Sequence, residues 1–138
     1  MNSFFNRLHY SGQKTILCID FPEEFQTQLQ QMRNECEIHT TPFEDMIYEY
    51  IIAFATNQDE LKQKAALILP KTNLSTVLWF CIPKYNAKEI ETDFPKNYTF
   101  DFMEEMDFKR MQKSLLSSNW LAYKFKKVIP KEKRKRKK

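Results

Sequence analysis

Residues 16–25, Ile16-Leu17-Cys18-Ile19-Asp20-Phe21-Pro22-Glu23-Glu24-Phe25, read ILCIDFPEEF and decide the fold. Four apolar residues end in Asp, and a Pro and two Glu follow, which reads as a strand passing into a helix. A proline at the first helical position loses no hydrogen bond, and the two acidic side chains suit the positive end of the helix dipole. Phe25, Leu29 and Met32 then recur at i, i+4 and i+7 and give that helix one buried stripe. Nucleotide-binding α/β proteins place a glycine-rich phosphate turn at such a junction. Here the junction has three carboxylates and no glycine.

Outward from this stretch the pattern repeats. Phe4, Phe5 and Leu8 form an N-terminal segment that packs on the domain, and Gly12, the only glycine, sits in a turn before a strand over Thr15 to Asp20. A short strand is placed at Cys36 to His39. Ile47 to Ala55 is almost wholly apolar and aromatic, as in a strand covered on both faces. Asn57 and Glu60 have capping-box spacing and start a helix with Leu61, Ala65, Ile68 and Leu69 on its inner face, ended by Pro70. Val77 to Ile82 (VLWFCI) is the next strand. A polar loop from Pro83 to Asn97 leads to a brief helix near Phe100 to Met106, and strands over Met111 to Leu116 and Trp120 to Lys127 flank SSN as a hairpin. Strands alternating with helices predict a Rossmann-like, mainly parallel open α/β sheet with helices on both faces, ending in an antiparallel hairpin. One passage is tight. About seven residues, Thr40 to Met46, link the second and third strands, where a parallel crossover normally takes a dozen or more. Seven extended residues reach roughly 23 Å, against a direct path of about 17 Å. A helix-free crossover is feasible, and an antiparallel or absent second strand stays open.

Bulk properties set the class. The 138 residues, 42% hydrophobic and 29% charged, fit a soluble globular protein with a single α/β domain over 1–128. The longest apolar runs are too short to span a bilayer, and MNSFFNRLHY lacks the apolar core of a signal peptide, so no membrane association and a cytoplasmic location are expected. Cys18 and Cys81 lie inside apolar strands and read as reduced core residues. Cys36 and His39 have ligand-like spacing, but too few partners are visible for a zinc site, and no metal is expected. The net charge of +4 is uneven: Lys126 to Lys138 hold nine Lys or Arg and one Glu, leaving residues 1–125 near −4.

Two regions are candidates for function. With the first and third strands adjacent, ligands favour the crevice at the sheet's switch point. This groups Asp20 and Phe21 with Thr56 and Asn57, and adds Lys84, Lys88, Thr92 and Asp93 from the neighbouring strand end and loop. The plain alternative is that Asp20 and Asn57 cap helices while Lys84 pairs with a carboxylate. The second candidate is the tail, 129–138, expected to be disordered because nothing after Pro130 is apolar. Its Lys131, Lys133, Arg134, Lys135, Arg136, Lys137 and Lys138 suit weak, non-specific contact with nucleic-acid phosphates, and the plain alternative is a solubilising tail. No nucleophile elbow, P-loop or Cys–His arrangement is present, and His9 and His39 read as surface or rim residues, so no catalytic residue is assigned.

Four stretches, SGQKTILCIDFPEEF, YEYIIAFATNQDELKQKA, LWFCIPK and NWLAYKFKKV, resemble a family of small bacterial proteins described only as a domain of unknown function. Gly12, Gln13, Asp59, Glu60, Leu61, Pro83, Lys84, Lys88, Thr92, Asp93 and Trp120 stand at corresponding places. Ile82 replaces a usual Tyr, and Lys96-Asn97 an Arg-Asp pair. More distantly, the same segments resemble the core of class I S-adenosylmethionine methyltransferases. That likeness implies a cofactor turn after the first strand and an active site beside the third strand, its helix and the fourth. Phe21-Pro22 in place of the glycines argues against a retained cofactor. The expected function is a non-enzymatic Rossmann-like binding or regulatory module with no cofactor. The alternative is an enzyme or small-ligand binder using the switch-point crevice, and a second is weak nucleic-acid binding through the tail.

Overall fold

The apolar runs of the sequence assemble into one six-stranded sheet, seen in a computed structural model that describes residues 3–129. The strands are β1 (Thr15–Ile19), β2 (Glu37–His39), β3 (Tyr50–Phe54), β4 (Val77–Pro83), β5 (Phe108–Leu115) and β6 (Trp120–Lys127). They lie in the order β2-β1-β3-β4-β6-β5. The first four run parallel, and β6 is antiparallel to both β4 and β5. The Rossmann-like α/β sheet with its closing hairpin is therefore present. The basic segment from Pro130 onward lies outside the described residues, and among those described no helix is long and apolar enough to cross a membrane.

Strand periodicity divides the core into two layers. Ile16 and Cys18 of β1, Tyr50, Ile52 and Phe54 of β3, and Trp79 and Cys81 of β4 face one side. Against them pack α1 (Ser3–Arg7), a 3₁₀ turn (Glu23–Phe25) and α2 (Gln26–Met32). Leu17, Ile51, Ala53, Leu78 and Phe80 face the other, under α3 (Gln58–Ile68) and α4 (Asp101–Glu105). The predicted stripe of Phe25, Leu29 and Met32 is buried. A helix of five residues has little stability of its own, and α1 is fixed instead by its tail. The carbonyl of Leu8 accepts from the indole Nε1 of Trp79 at 2.8 Å and from the hydroxyl of Tyr50 at 3.0 Å.

The second strand exists and is parallel, so the tight crossover is real. It is eased because β3 begins at Tyr50 rather than Ile47, leaving residues 40–49 to cross over β1 without a helix. Tyr48 anchors that crossing: its hydroxyl accepts from the Phe43 amide at 3.0 Å and meets His39 Nδ1 at 2.6 Å, and its carbonyl accepts from Thr76 Oγ1. His39 is accordingly buried, with Nε2 on the Glu37 carboxylate, and not on the rim. His9 accepts from the Lys124 ammonium at 2.9 Å. Burial and that neighbouring charge both lower its pKa, and its lone pair is already taken.

All three cysteines are free thiols, and Cys18 and Cys81 are buried in the sheet. Burial pushes both thiols well above the ordinary value, and pushes the half-buried Cys36 up as well. Reaction with an aromatic disulfide reagent at neutral pH should modify Cys36 alone, slowly, in the native protein, and all three thiols once it is unfolded. Rapid native modification of a second thiol would contradict the packing described.

Candidate functional site

The strand order reverses between β1 and β3. The chain leaves β1 toward β2 on one side, and leaves β3 toward β4 on the other, so the carboxyl ends of β1 and β3 form the topological switch point, where open α/β sheets place their ligands. Asp20, the first residue after β1, holds φ +55°, the left-handed conformation that glycine adopts freely and that a short polar side chain tolerates. This turns the chain sharply without a glycine. It also directs Phe21 inward: its ring stacks on Phe5 at 5.8 Å and meets Phe54 edge-on at 4.8 Å, within the layer under α1 and α2. Phe21 thus supports the switch point from beneath and leaves its polar surface to others.

That surface is organised by a residue absent from the sequence-based set. Lys64, on the second turn of α3, has a side chain only 12% exposed. Its ammonium donates to Asp20 Oδ2 at 2.6 Å, to Glu60 Oε1 at 2.8 Å and to the carbonyl of Phe54 at the end of β3. Glu60 in turn accepts from both the amide and the hydroxyl of Thr56, while its own amide donates to Asn57 Oδ1 at 2.9 Å. Asp20, Thr56 and Asn57 are therefore brought into one hydrogen-bonded cluster, with Lys64 and Glu60 as its centre. Burial acts to raise the pKa of Glu60, but the Lys64 ammonium and the Thr56 donors outweigh it and hold the carboxyl below the ordinary range. The signal for this pair lay in the sequence, as a Glu followed four residues later by a Lys on one helix face.

The remaining predicted residues divide. Asp93 takes the N-terminus of α3, accepting from the Gln58 amide at 2.9 Å, and its carbonyl accepts from the Gln58 side chain, so the long loop is tied down beside Asn57. Thr92 accepts from the Phe94 amide and shapes the same turn. Lys84 lines a separate cavity of about 170 Å³ with Tyr85, Lys96 and Tyr98. Lys88 is exposed on the loop. The plain alternative therefore holds for Asn57, which caps α3, and not for Asp20, which pairs with a lysine. Lys84 forms no ion pair among the described residues.

No family model matches the chain, and no curated protein does. Solved structures do. The ribosomal protein L11 methylase of Lactobacillus delbrueckii subsp. bulgaricus superposes with a TM-score of 0.52 at 11% identity, over 91% of this chain and 75% of its own. DhpI in complex with SAH gives 0.54 at 8% identity, over 89% and 81%. The glycopeptide N-methyltransferase MtfA complexed with S-adenosyl-L-methionine gives 0.53 at 6% identity, over 90% and 91%. At such identities the likeness is one of fold: the chain has the Rossmann-like architecture of class I methyltransferases.

This corrects the expectation of a non-enzymatic binding or regulatory module. That expectation rested on a sheet pattern without its glycine turn. The structural neighbours share the chain's architecture over about nine-tenths of its length and include methyltransferases, so the missing turn is a local change in a fold those enzymes share. The change is nonetheless specific. A cofactor laid across the β1 turn needs open backbone there. Here the Lys64 side chain crosses from α3 to Asp20 and to the Phe54 carbonyl, bridging the two strand ends where such a turn would lie. These residues do not fit adenosylmethionine at that turn, and no chemical step through it follows from the geometry.

Proposed function

We propose that this protein is an enzyme built on the methyltransferase fold, whose small polar substrate binds at the carboxyl ends of β1 and β3 against the Asp20–Lys64–Glu60 cluster. The observation that carries the reading is the placement of a nearly buried lysine and two carboxylates at the switch point of the sheet, where open α/β folds hold their ligands. The rim is acidic, with Asp20, Glu23, Glu24 and Asp59 exposed on it, so it favours an amine- or hydroxyl-bearing molecule over a phosphate. Asp20, whose side chain is 66% exposed, retains acceptor sites for such a group while Lys64 holds it in place. A cytoplasmic location and kinship with the small bacterial family that the four sequence stretches resemble belong to the same proposal.

Titration calorimetry tests it with a panel of primary amines and polyols. A member binding at submillimolar strength in the native protein, and lost in Asp20→Asn, supports the reading. No heat from any of them up to millimolar concentration would sink it.

A further inference from the structure

The mean charge of the body conceals a sharp division. Residues 1–107 carry nine Lys and Arg against seventeen Asp and Glu, whereas residues 108–129, the β5–β6 hairpin, carry six Lys and Arg and no acid. None of these six cations forms an ion pair among the described residues. Lys109 and Lys126 even stand directly opposite each other across the ladder, an arrangement that destabilises a strand pair unless something neutralises it. A break in register at Met111 adds a second device. It lets Arg110 fall opposite Phe125 and Lys113 opposite Tyr123, so two cations three residues apart share one face of the strand. Both lie over the Tyr123 ring, at 5.4 Å and 5.9 Å. Beside them is the cavity of about 170 Å³, whose lining includes Lys84, Lys96, Lys113 and three tyrosines, and no acidic side chain. Tyr85, 52% exposed, stands at this cavity with the Lys96 ammonium 5.7 Å from its ring. Asp101 and Asp93 act on Tyr98 from outside the lining, and Asp93 is already engaged by Gln58. Arg110 lines the neighbouring hollow instead, together with Lys109 and with Glu104 as its one acid.

We propose that the face of the β5–β6 hairpin around Arg110, Lys113 and Tyr85 binds single-stranded nucleic acid, with phosphates on the two cations and a base stacked on Tyr85. This is independent of the switch-point reading. Cations that follow a backbone, interleaved with an exposed aromatic ring, are the elements that recognise single strands. An anionic lipid surface would draw on the same charge and could seat the ring at its interface, and vesicle competition separates the two.

Fluorescence anisotropy of the full chain with a labelled oligodeoxythymidine at low salt tests the proposal, so that the basic tail is present throughout. Tyr85→Ala should weaken binding about fivefold or more and leave the salt dependence unchanged. Arg110→Gln combined with Lys113→Gln should lower the log–log salt slope by about 1.4, two single-strand phosphate contacts' worth. The three side chains are exposed, and thermal melts of the variants should match the parent. The proposal is overturned if the intact chain does not bind. It is equally overturned if both variants bind as the parent does, which would leave the tail as the only contact, or if anionic vesicles compete fully and Tyr85→Ala changes nothing.

Discussion

Trp79→Ala should cost about 3–5 kcal/mol of folding stability, the range for truncating a fully buried aromatic residue. Trp79 is 0% exposed at the middle of β4, between Ile52 on β3 and Lys124 on β6. Its loss removes the floor beneath α1 and one of the two donors to the Leu8 carbonyl. Against a typical total of about 5–15 kcal/mol, that is a large share of the fold's stability. Trp79→Phe separates the two contributions. A six-membered ring is kept, the N–H is lost with the five-membered part of the indole, and Leu8 still accepts from Tyr50, so the cost should fall to about 1–2 kcal/mol. Urea denaturation of the two variants measures both numbers. Equal costs would mean that the hydrogen bond, and not the buried ring, dominates at this position.

Lys64→Met should destabilise the fold by about 2 kcal/mol, within the range for hydrogen bonds to charged groups. The substitution preserves the apolar stem but leaves the Phe54 carbonyl without this donor and brings the Asp20 and Glu60 carboxylates together without their shared cation. A pH signature should accompany the loss. Glu60 has its folded pKa depressed, so its contribution to stability is present above the ordinary carboxylate pKa and is lost as pH falls through the depressed value. Without Lys64 that pull weakens, and the variant should lose less stability than the parent between neutral and acid pH. A parallel pair of stability–pH curves would show that the ion cluster is not coupled to folding.

Much of this architecture was legible because its strongest signals are local. The end of β1 at Asp20-Phe21-Pro22, the cap on Asn57 and the run Val77 to Ile82 each follow from a few adjacent residues, although Pro22 precedes a 3₁₀ turn and does not itself open the helix. What escaped depends on contacts distant in sequence. Tyr48 reads as strand in an aromatic run, but its hydroxyl is needed by His39 and Phe43, which pulls the start of β3 to Tyr50. β5 begins at Phe108, three residues before its expected start, because pairing with Lys127 and not its own mostly polar composition defines it. At the candidate site the positions flanking the strands were visible. Lys64 was not, since a lysine in mid-helix reads as a solvated residue until the strand ends reach it.

Both margins of the sheet bear on how the molecule behaves in company. An open sheet offers unpaired amides and carbonyls along its outer strands, where another copy can add a strand and begin to polymerise. One margin here is β2, three residues long, too short to template a stable ladder. The other is β5, where a break in register interrupts the spacing and Lys109, Arg110 and Lys113 present like charge to any identical strand. A protein whose core is packed with aromatic rings is thereby kept from aggregating through its own backbone, by brevity on one side and by repulsion on the other.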